Sequence, residues 1–126
     1  MKPFNELVKV ELAPGKAAAW VDLDLSTVVP AGQELVVEFI STSSEMPTGQ
    51  KPNPVIVVVD KNNSAVVQHY LVTHFQLTYA GSEIHKSAQP VRMRLPRELT
   101  LRTDMTRDAT TGTARCFFGI SGHVGA

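Results

Sequence analysis

The fold class of this chain is indicated most clearly by residues 54–77, PVIVVVDKNNSAVVQHYLVTHFQL. The segment PVIVVVD is apolar on both faces, which is typical of a central strand covered on both sides. The polar KNNS segment predicts a tight turn. The following residues, Val66–Leu77, favour extended structure because β-branched and aromatic side chains suit a pleated surface. We therefore predict a β-hairpin whose second strand continues to Leu77.

Two of the four histidines, His69 and His74, lie in this second strand. Because they are five residues apart, a regular strand points them to opposite faces, and they cannot share a metal ion. His69 shares its face with Val67 and Leu71, so we expect a partly buried, hydrogen-bonded imidazole. No segment has the spacing of a zinc site. The sequence predicts no metal site and no cofactor.

Apolar and polar residues alternate with a period of two over the rest of the chain, and no segment shows a helical period. Further strands are predicted at Val8–Leu12, Val21–Leu25, Leu35–Phe39, Val91–Leu95, Leu99–Arg102 and Ala114–Val124. Polar segments between them, at residues 26–33, 41–53, 78–88 and 103–113, are predicted to be loops. About eight strands with this spacing favour an all-β fold, an antiparallel two-sheet β-sandwich of jelly-roll type. We expect one domain, residues 1–126.

The net charge is zero, but the charge is unevenly spread along the chain. Residues 1–85 carry five basic and nine acidic side chains, and residues 86–126 carry seven basic and three acidic ones. Strands from the two halves interleave in a sandwich, so the asymmetry need not survive folding as two patches, and we expect a solvated surface of mixed charge. Two surviving patches would instead favour head-to-tail self-association or an anionic ligand. With 6% aromatic residues, a stacking platform for nucleic acid is not expected. No apolar run approaches membrane-spanning length, so no membrane insertion is expected.

The single cysteine, Cys116, excludes an intramolecular disulfide and a cysteine-rich zinc site. It alternates with Phe118 and Ile120 on one apolar face, which predicts a buried, unreactive thiol. The N-terminal residues MKPFNELVKVEL contain no apolar signal-peptide segment. No catalytic motif is found either, since the segment GISGHVG lacks the spacing of a serine-hydrolase elbow.

The candidate ligand-binding residues are Trp20, Asp22, Asp24 and Tyr79. By alternation Trp20 shares a face with Asp22 and Asp24, where an exposed indole beside carboxylates could contact a sugar or a protein. Trp20 is also the first residue of its strand, where alternation is least secure, and burial at the end of the core is the preferred interpretation. We interpret the two aspartates as a solvated acidic face rather than a glycosidase pair.

Three quoted segments resemble a family of small bacterial all-β proteins of uncharacterised function. They are VVPAGQELVVEFIS (28–41), QPVRMRLPRELTLRTD (89–104) and TTGTARCFFGISGHV (110–124). The resemblance covers most of the chain and implies the sandwich fold. Because those proteins begin with an export signal, it also implies a secreted or surface-associated location, although no such signal is present here. It implies no active site.

Three functions follow from these expectations. The first is a non-catalytic interaction module that binds a glycan or a protein partner through the end loops Thr42–Asn53 and Thr78–Ala88. The alternative is a structural subunit of a homo-oligomeric assembly, on a bacterial surface or in a phage particle. Self-association would then bury the strand faces near Pro54–Val59 and Val66–Val72. A small hydrolase or metal enzyme is ranked last because no motif supports it.

Overall fold

The computed structural model describes residues 1–126 and contains nine β-strands. They are β1 (Lys2–Leu12), β2 (Ala18–Asp24), β3 (Glu34–Met46), β4 (Pro52–Val59), β5 (Ala65–Tyr70), β6 (His74–Tyr79), β7 (Ser82–Pro96), β8 (Thr100–Arg107) and β9 (Ala114–Gly125). A short 3-10 turn, Leu25–Thr27, connects β2 and β3. The structure contains no helix long and apolar enough to cross a membrane.

The strands form two antiparallel sheets that pack face to face. The five-stranded sheet has the order β1-β9-β3-β7-β6, and the four-stranded sheet has the order β2-β8-β4-β5. Without β6, the two four-stranded orders are those of a jelly roll, in which two Greek keys interlock. The predicted two-sheet jelly-roll sandwich is therefore confirmed, and β6 is an additional strand at one edge.

The core lies between the sheets and is built by alternation along each strand. In β9, every second residue from Ala114 to Ile120 is buried. The largest fully buried side chains come from both sheets: Leu12, Leu35, Ile40, Ile56, Leu101, Met105 and Phe118. Cys116 is fully buried among them, and burial raises the pKa of its thiol to about 11. The predicted buried thiol is confirmed.

The predicted single strand Val66–Leu77 is wrong. The chain leaves the four-stranded sheet after Tyr70 and joins the five-stranded sheet at His74, so that β5 pairs with β4 and β6 pairs with β7. Leu71 anchors this crossover, because its side chain is buried and its N–H donates to the Pro54 carbonyl at 3.2 Å. The crossover contains neither glycine nor proline, so the sequence gives no signal for the break. The split accounts for the ninth strand.

Two of the predicted loops, 41–53 and 78–88, are largely strand, and a third, 103–113, is strand in its first part. β3 continues to Met46, β7 begins at Ser82, and β8 runs through residues 103–107. The inward side chains of the paired ends of β3 and β7 are polar (Thr42, Ser44, His85 and Ser87), so the apolar alternation that marks a half-buried strand is missing. The hydroxyls of Thr42 and Ser87 satisfy each other by a buried hydrogen bond. The connections are short, residues 47–51 between β3 and β4 and the turn Ala80–Gly81 between β6 and β7.

The uneven charge along the sequence is neutralised by the topology, as expected. β9 inserts between β1 and β3, and β8 lies beside β2, so basic residues of the C-terminal part face acidic residues of the N-terminal part. Three arginine–carboxylate pairs result, with N–O distances of 2.8 to 2.9 Å: Arg94–Glu34, Arg102–Asp22 and Arg115–Glu11.

Candidate functional site

Trp20 lies on the outer face of the four-stranded sheet, in its edge strand β2, with 56% of its surface exposed. The preferred interpretation of burial is therefore wrong, whereas the face predicted by alternation is correct. The guanidinium of Arg102, on β8, stacks 5.0 Å from the centroid of the indole. It also donates to both carboxylate oxygens of Asp22, at 2.8 and 3.1 Å, and this bonding raises the pKa of Arg102. Trp20 and Asp22 thus meet in one network that satisfies its own charges.

The other two candidates lie apart from this network. The Asp24 carboxylate caps the 3-10 turn by accepting hydrogen bonds from the hydroxyl and the backbone N–H of Ser26, which lower the pKa of Asp24. Tyr79 is 71% exposed and ends β6, which is at the opposite edge of the sandwich from β2. Ligand binding by these four residues stays a prediction, because the structure does not bring them to one place.

The histidines are in four different surroundings. His69 is partly buried and hydrogen-bonded to Gln89 of β7, as expected. His74 is exposed on the outer face of the five-stranded sheet, so the change of sheet, rather than alternation, separates it from His69. His85 is buried with an unpaired Nε2, and His123 contacts a carboxylate. No group of three or more His, Cys, Asp or Glu side chains is placed to hold a metal ion.

Arg107 ties together the loops at one end of the sandwich. The side chain is buried, and its five N–H donors contact three loops, those between β1 and β2, β3 and β4, and β8 and β9. The acceptors, at 2.9 to 3.2 Å, are the carbonyls of Ala13, Lys16, Thr111 and Gly112 and the Gln50 side chain. Four backbone carbonyls of this end are therefore used to hold the three loops together.

The least buried part of the sandwich is the β5–β6 edge, residues Ala65–Tyr79. β5 and β6 end their respective sheets on the same side, and each is paired along one side only. The apolar side chains exposed here are Val66, Val67, Tyr70, Val72, Phe75, Leu77 and Tyr79. The segment contains no Asp, Glu, Lys or Arg. Soluble proteins usually protect sheet edges with charge or proline, and contiguous exposed apolar residues mark interaction surfaces.

A second surface is a groove of about 460 Å³ across the outer face of the five-stranded sheet. Its floor is made by three small residues that are cross-strand neighbours on β3, β7 and β9: Ser41, Ala88 and Gly119. In the next cross-strand row, the residues on β1, β9, β3, β7 and β6 are Lys9, Phe117, Ser43, Lys86 and His74. The sequence analysis missed this groove because its lining comes from five strands that only the register aligns.

No protein-family model matches the sequence, and no curated protein is similar to it. Among solved structures, the chain is similar to the mitogen of Yersinia pseudotuberculosis, with a TM-score of 0.55 and 5% identity over 96% of this chain and 87% of that one. This likeness shows a shared fold.

Two further likenesses are weaker. The infectious bursal disease virus VP2 subviral particle gives a TM-score of 0.46 and 9% identity over 96% of this chain and 33% of that one. Dimeric latent PorU of Porphyromonas gingivalis gives a TM-score of 0.46 and 9% identity over 98% of this chain and 13% of that one. At these scores the two likenesses support no conclusion about the chain. The fold that the chain shares with the mitogen is the β-sandwich.

Proposed function

We propose that this chain is a non-catalytic interaction domain that associates with a second copy of itself through the β5–β6 edge. The observation that carries the proposal is the combination of unpaired strand edges, exposed apolar side chains and the absence of charge over Ala65–Tyr79. In this proposal the protein partner is a second copy of the chain, so the protein-binding role and the role as a subunit of a homo-oligomer are the same function. Its setting, a bacterial surface or a phage particle, stays a prediction.

Backbone hydrogen bonding favours a strand as the group that covers this edge. Only β7 pairs with β6, so N–H and C=O groups along its other side have no neighbouring strand. Another strand placed there pairs with these groups and extends the sheet, which is a common mode of protein recognition. Two copies of β6 in antiparallel orientation are related by a two-fold axis, and the contact closes at a dimer.

The composition of the edge favours a second copy as that partner. A two-fold contact brings a segment against itself, so every charge within it would face a like charge nearby. The β5–β6 edge carries none, and the exposed aromatic residues of β6, Phe75 and Tyr79, are of the kind that forms favourable cross-strand pairs. Two copies of this uncharged edge can therefore pair without charge repulsion.

The test is the mass of the particle in solution, measured by light scattering on a sizing column from 1 to 500 µM (roughly the range of weak to firm dimers). We expect a dimer whose population rises with concentration. Leu77→Lys places a desolvated charge in the contact and should give a monomer. Leu7→Lys is the matched control, because Leu7 is also an exposed leucine but lies on β1 at the other edge.

Two outcomes would overturn the proposal. One is a wild-type chain that remains monomeric over the whole concentration range. The other is a dimer that Leu7→Lys dissociates as readily as Leu77→Lys, since the contact would then lie elsewhere on the molecule.

A further inference from the structure

The groove on the outer face of the five-stranded sheet is open in the proposed dimer, because strand addition uses the edge of β6 and not the face. Its shape follows from small side chains. Ser41, Ala88 and Gly119 form the floor, and a Cβ at Gly119 would come within 2.7 Å of the Ser41 hydroxyl. Because Gly119 has no side chain, the Ser41 hydroxyl can lie close to the backbone of the neighbouring strand β9. The volume of about 460 Å³ is within the usual range of small-molecule sites, about 300–1,000 Å³.

The two sides of the groove differ in polarity. Leu7 and Phe117, on β1 and β9, give an apolar side. His74 and Gln76, on β6, give a polar side across the floor, and the Ser41 and Ser43 side chains project outward between them. A ligand that lies here meets an aromatic face on one side and neutral hydrogen-bonding groups on the other.

The electrostatics of the groove favour an anion. Lys86 lines it, no carboxylate does, and Lys9 follows Phe117 in the same cross-strand row. In the next row on the same face, Glu11 and Glu45 both contact the guanidinium of Arg115, at 2.9 and 3.5 Å. Arg115 offsets only one of these two negative charges, but Lys9 and Lys86 exceed the one that is left, so three basic side chains stand against two acidic ones beside the groove.

We propose that this groove binds an anionic saccharide, a sugar unit that bears a carboxylate or sulfate group. Lys86 contacts the anionic group, the serine hydroxyls and Gln76 contact ring hydroxyls, and Phe117 packs against the C–H face of the sugar ring. One aromatic residue suits one ring, whereas single-stranded nucleic acid needs a series of stacking residues. The neutral groups that the groove offers, the Ser41 and Ser43 hydroxyls and the Gln76 amide, suit a polyhydroxylated ligand better than an acidic peptide.

The experiment is a titration followed by amide chemical shifts, with four probes: a heparin tetrasaccharide, a hyaluronan tetrasaccharide, neutral chitotetraose and tetraglutamate. We expect the two acidic saccharides to shift the amides of Ser41, Ser43, Ala88 and Gly119, and chitotetraose and tetraglutamate to leave them unchanged. Lys86→Glu should weaken saccharide binding about tenfold or more, the effect of losing a charge-assisted hydrogen bond. Lys61→Glu, in the exposed turn between β4 and β5, is the matched control and should change affinity less than about twofold.

A second variant tests the shape rather than the charge. Ala88→Leu fills the floor from an exposed strand position and should abolish the saccharide-induced shifts while the mass of the particle stays that of the wild type. Four results would overturn the proposal: no binding of either acidic saccharide, equal binding of chitotetraose, equal binding of tetraglutamate, or equal losses in Lys86→Glu and Lys61→Glu. The mass of the particle is measured on the same samples, so each of these four results can be interpreted whether or not the chain dimerises.

Discussion

The two edges of the sandwich are protected differently. At the edge formed by β1 and β2, charged residues stand at short intervals: Lys2, Glu6, Lys9, Glu11, Asp22 and Asp24. At the β5–β6 edge no charged residue occurs between Ala65 and Tyr79. A charge at a strand edge must be desolvated before another strand can pair there, so the first edge resists pairing and the second permits it. The difference supports the proposal that a second copy of the chain pairs with the β5–β6 edge and not with the β1–β2 edge.

The connections at the two edges also differ in how they are anchored. Arg107 donates to the carbonyls of Ala13 and Lys16 in the β1–β2 connection, as part of a buried polar network. The β5–β6 crossover is anchored chiefly by Leu71, through its buried side chain and one backbone hydrogen bond. The loss of one member of a buried polar network leaves several polar groups unpaired at once, whereas the loss of one apolar contact loosens the structure locally. The two edges should therefore respond differently to substitution.

The largest expected effect is on the polar network. Arg107→Met removes five donors and leaves buried loop carbonyls unpaired, and we expect the free energy of unfolding to fall by about 3 kcal/mol. Urea denaturation measures this directly. Arg102→Met, on the same strand but on the outer face, is the matched control and should cost less than about 1 kcal/mol. Similar losses in the two variants would show that the network does not close the fold.

The next effect concerns the crossover. Leu71→Ala creates a cavity under the β5–β6 edge, and we expect a loss of about 2–3 kcal/mol. Hydrogen exchange should locate it, with faster exchange in β5 and β6 and unchanged exchange in the central strand β9. Val72→Ala, at a neighbouring exposed position, should change stability by less than about 0.5 kcal/mol. Faster exchange in every strand of Leu71→Ala would contradict a local anchor.

These positions also show how much the sequence can predict. Alternation located β9 to within a residue because its inward side chains are apolar, and it failed over Thr42–Glu45 because the inward side chains there, Thr42 and Ser44, are polar. The groove could not be predicted, since Ser41, Lys86 and Phe117 become neighbours only through the register of three strands. The absence of charge over Ala65–Tyr79 was visible in the sequence, but its meaning depended on knowing that both strands are edges.

A smaller effect is expected when the protection of the β1 edge is removed. Glu6→Val combined with Lys9→Val makes this edge resemble the other one. Each charge contributes about 0.2–1 kcal/mol against strand pairing, so the double variant should form species larger than a dimer only at high concentration. Light scattering at increasing concentration measures this. A variant that remains a dimer throughout would show that the residues that β1 retains, Lys2, Pro3 and Glu11, are sufficient protection.

The smallest effect concerns the charged surface near β2. Asp104 is the cross-strand neighbour of Trp20, and partial burial raises the pKa of its carboxyl despite the opposing charge of Arg102. An acid whose pKa is raised by folding favours the native state when it is protonated, so its charged form weakens the fold at neutral pH. Asp104→Asn should therefore be more stable than the wild type at pH 7, by less than about 1 kcal/mol because the site is partly exposed.

The pH dependence separates this cause from a change in packing. The gain of Asp104→Asn should shrink as the pH falls through the raised pKa and vanish below the ordinary value of 3.8, where the wild-type carboxyl is protonated in both the folded and the unfolded chain. Thermal unfolding of both chains between pH 3 and pH 7 provides the measurement (about one pH unit below and three above that value). A difference that is the same at every pH would show that Asp104 acts through its contacts, and that its charge has no measurable cost.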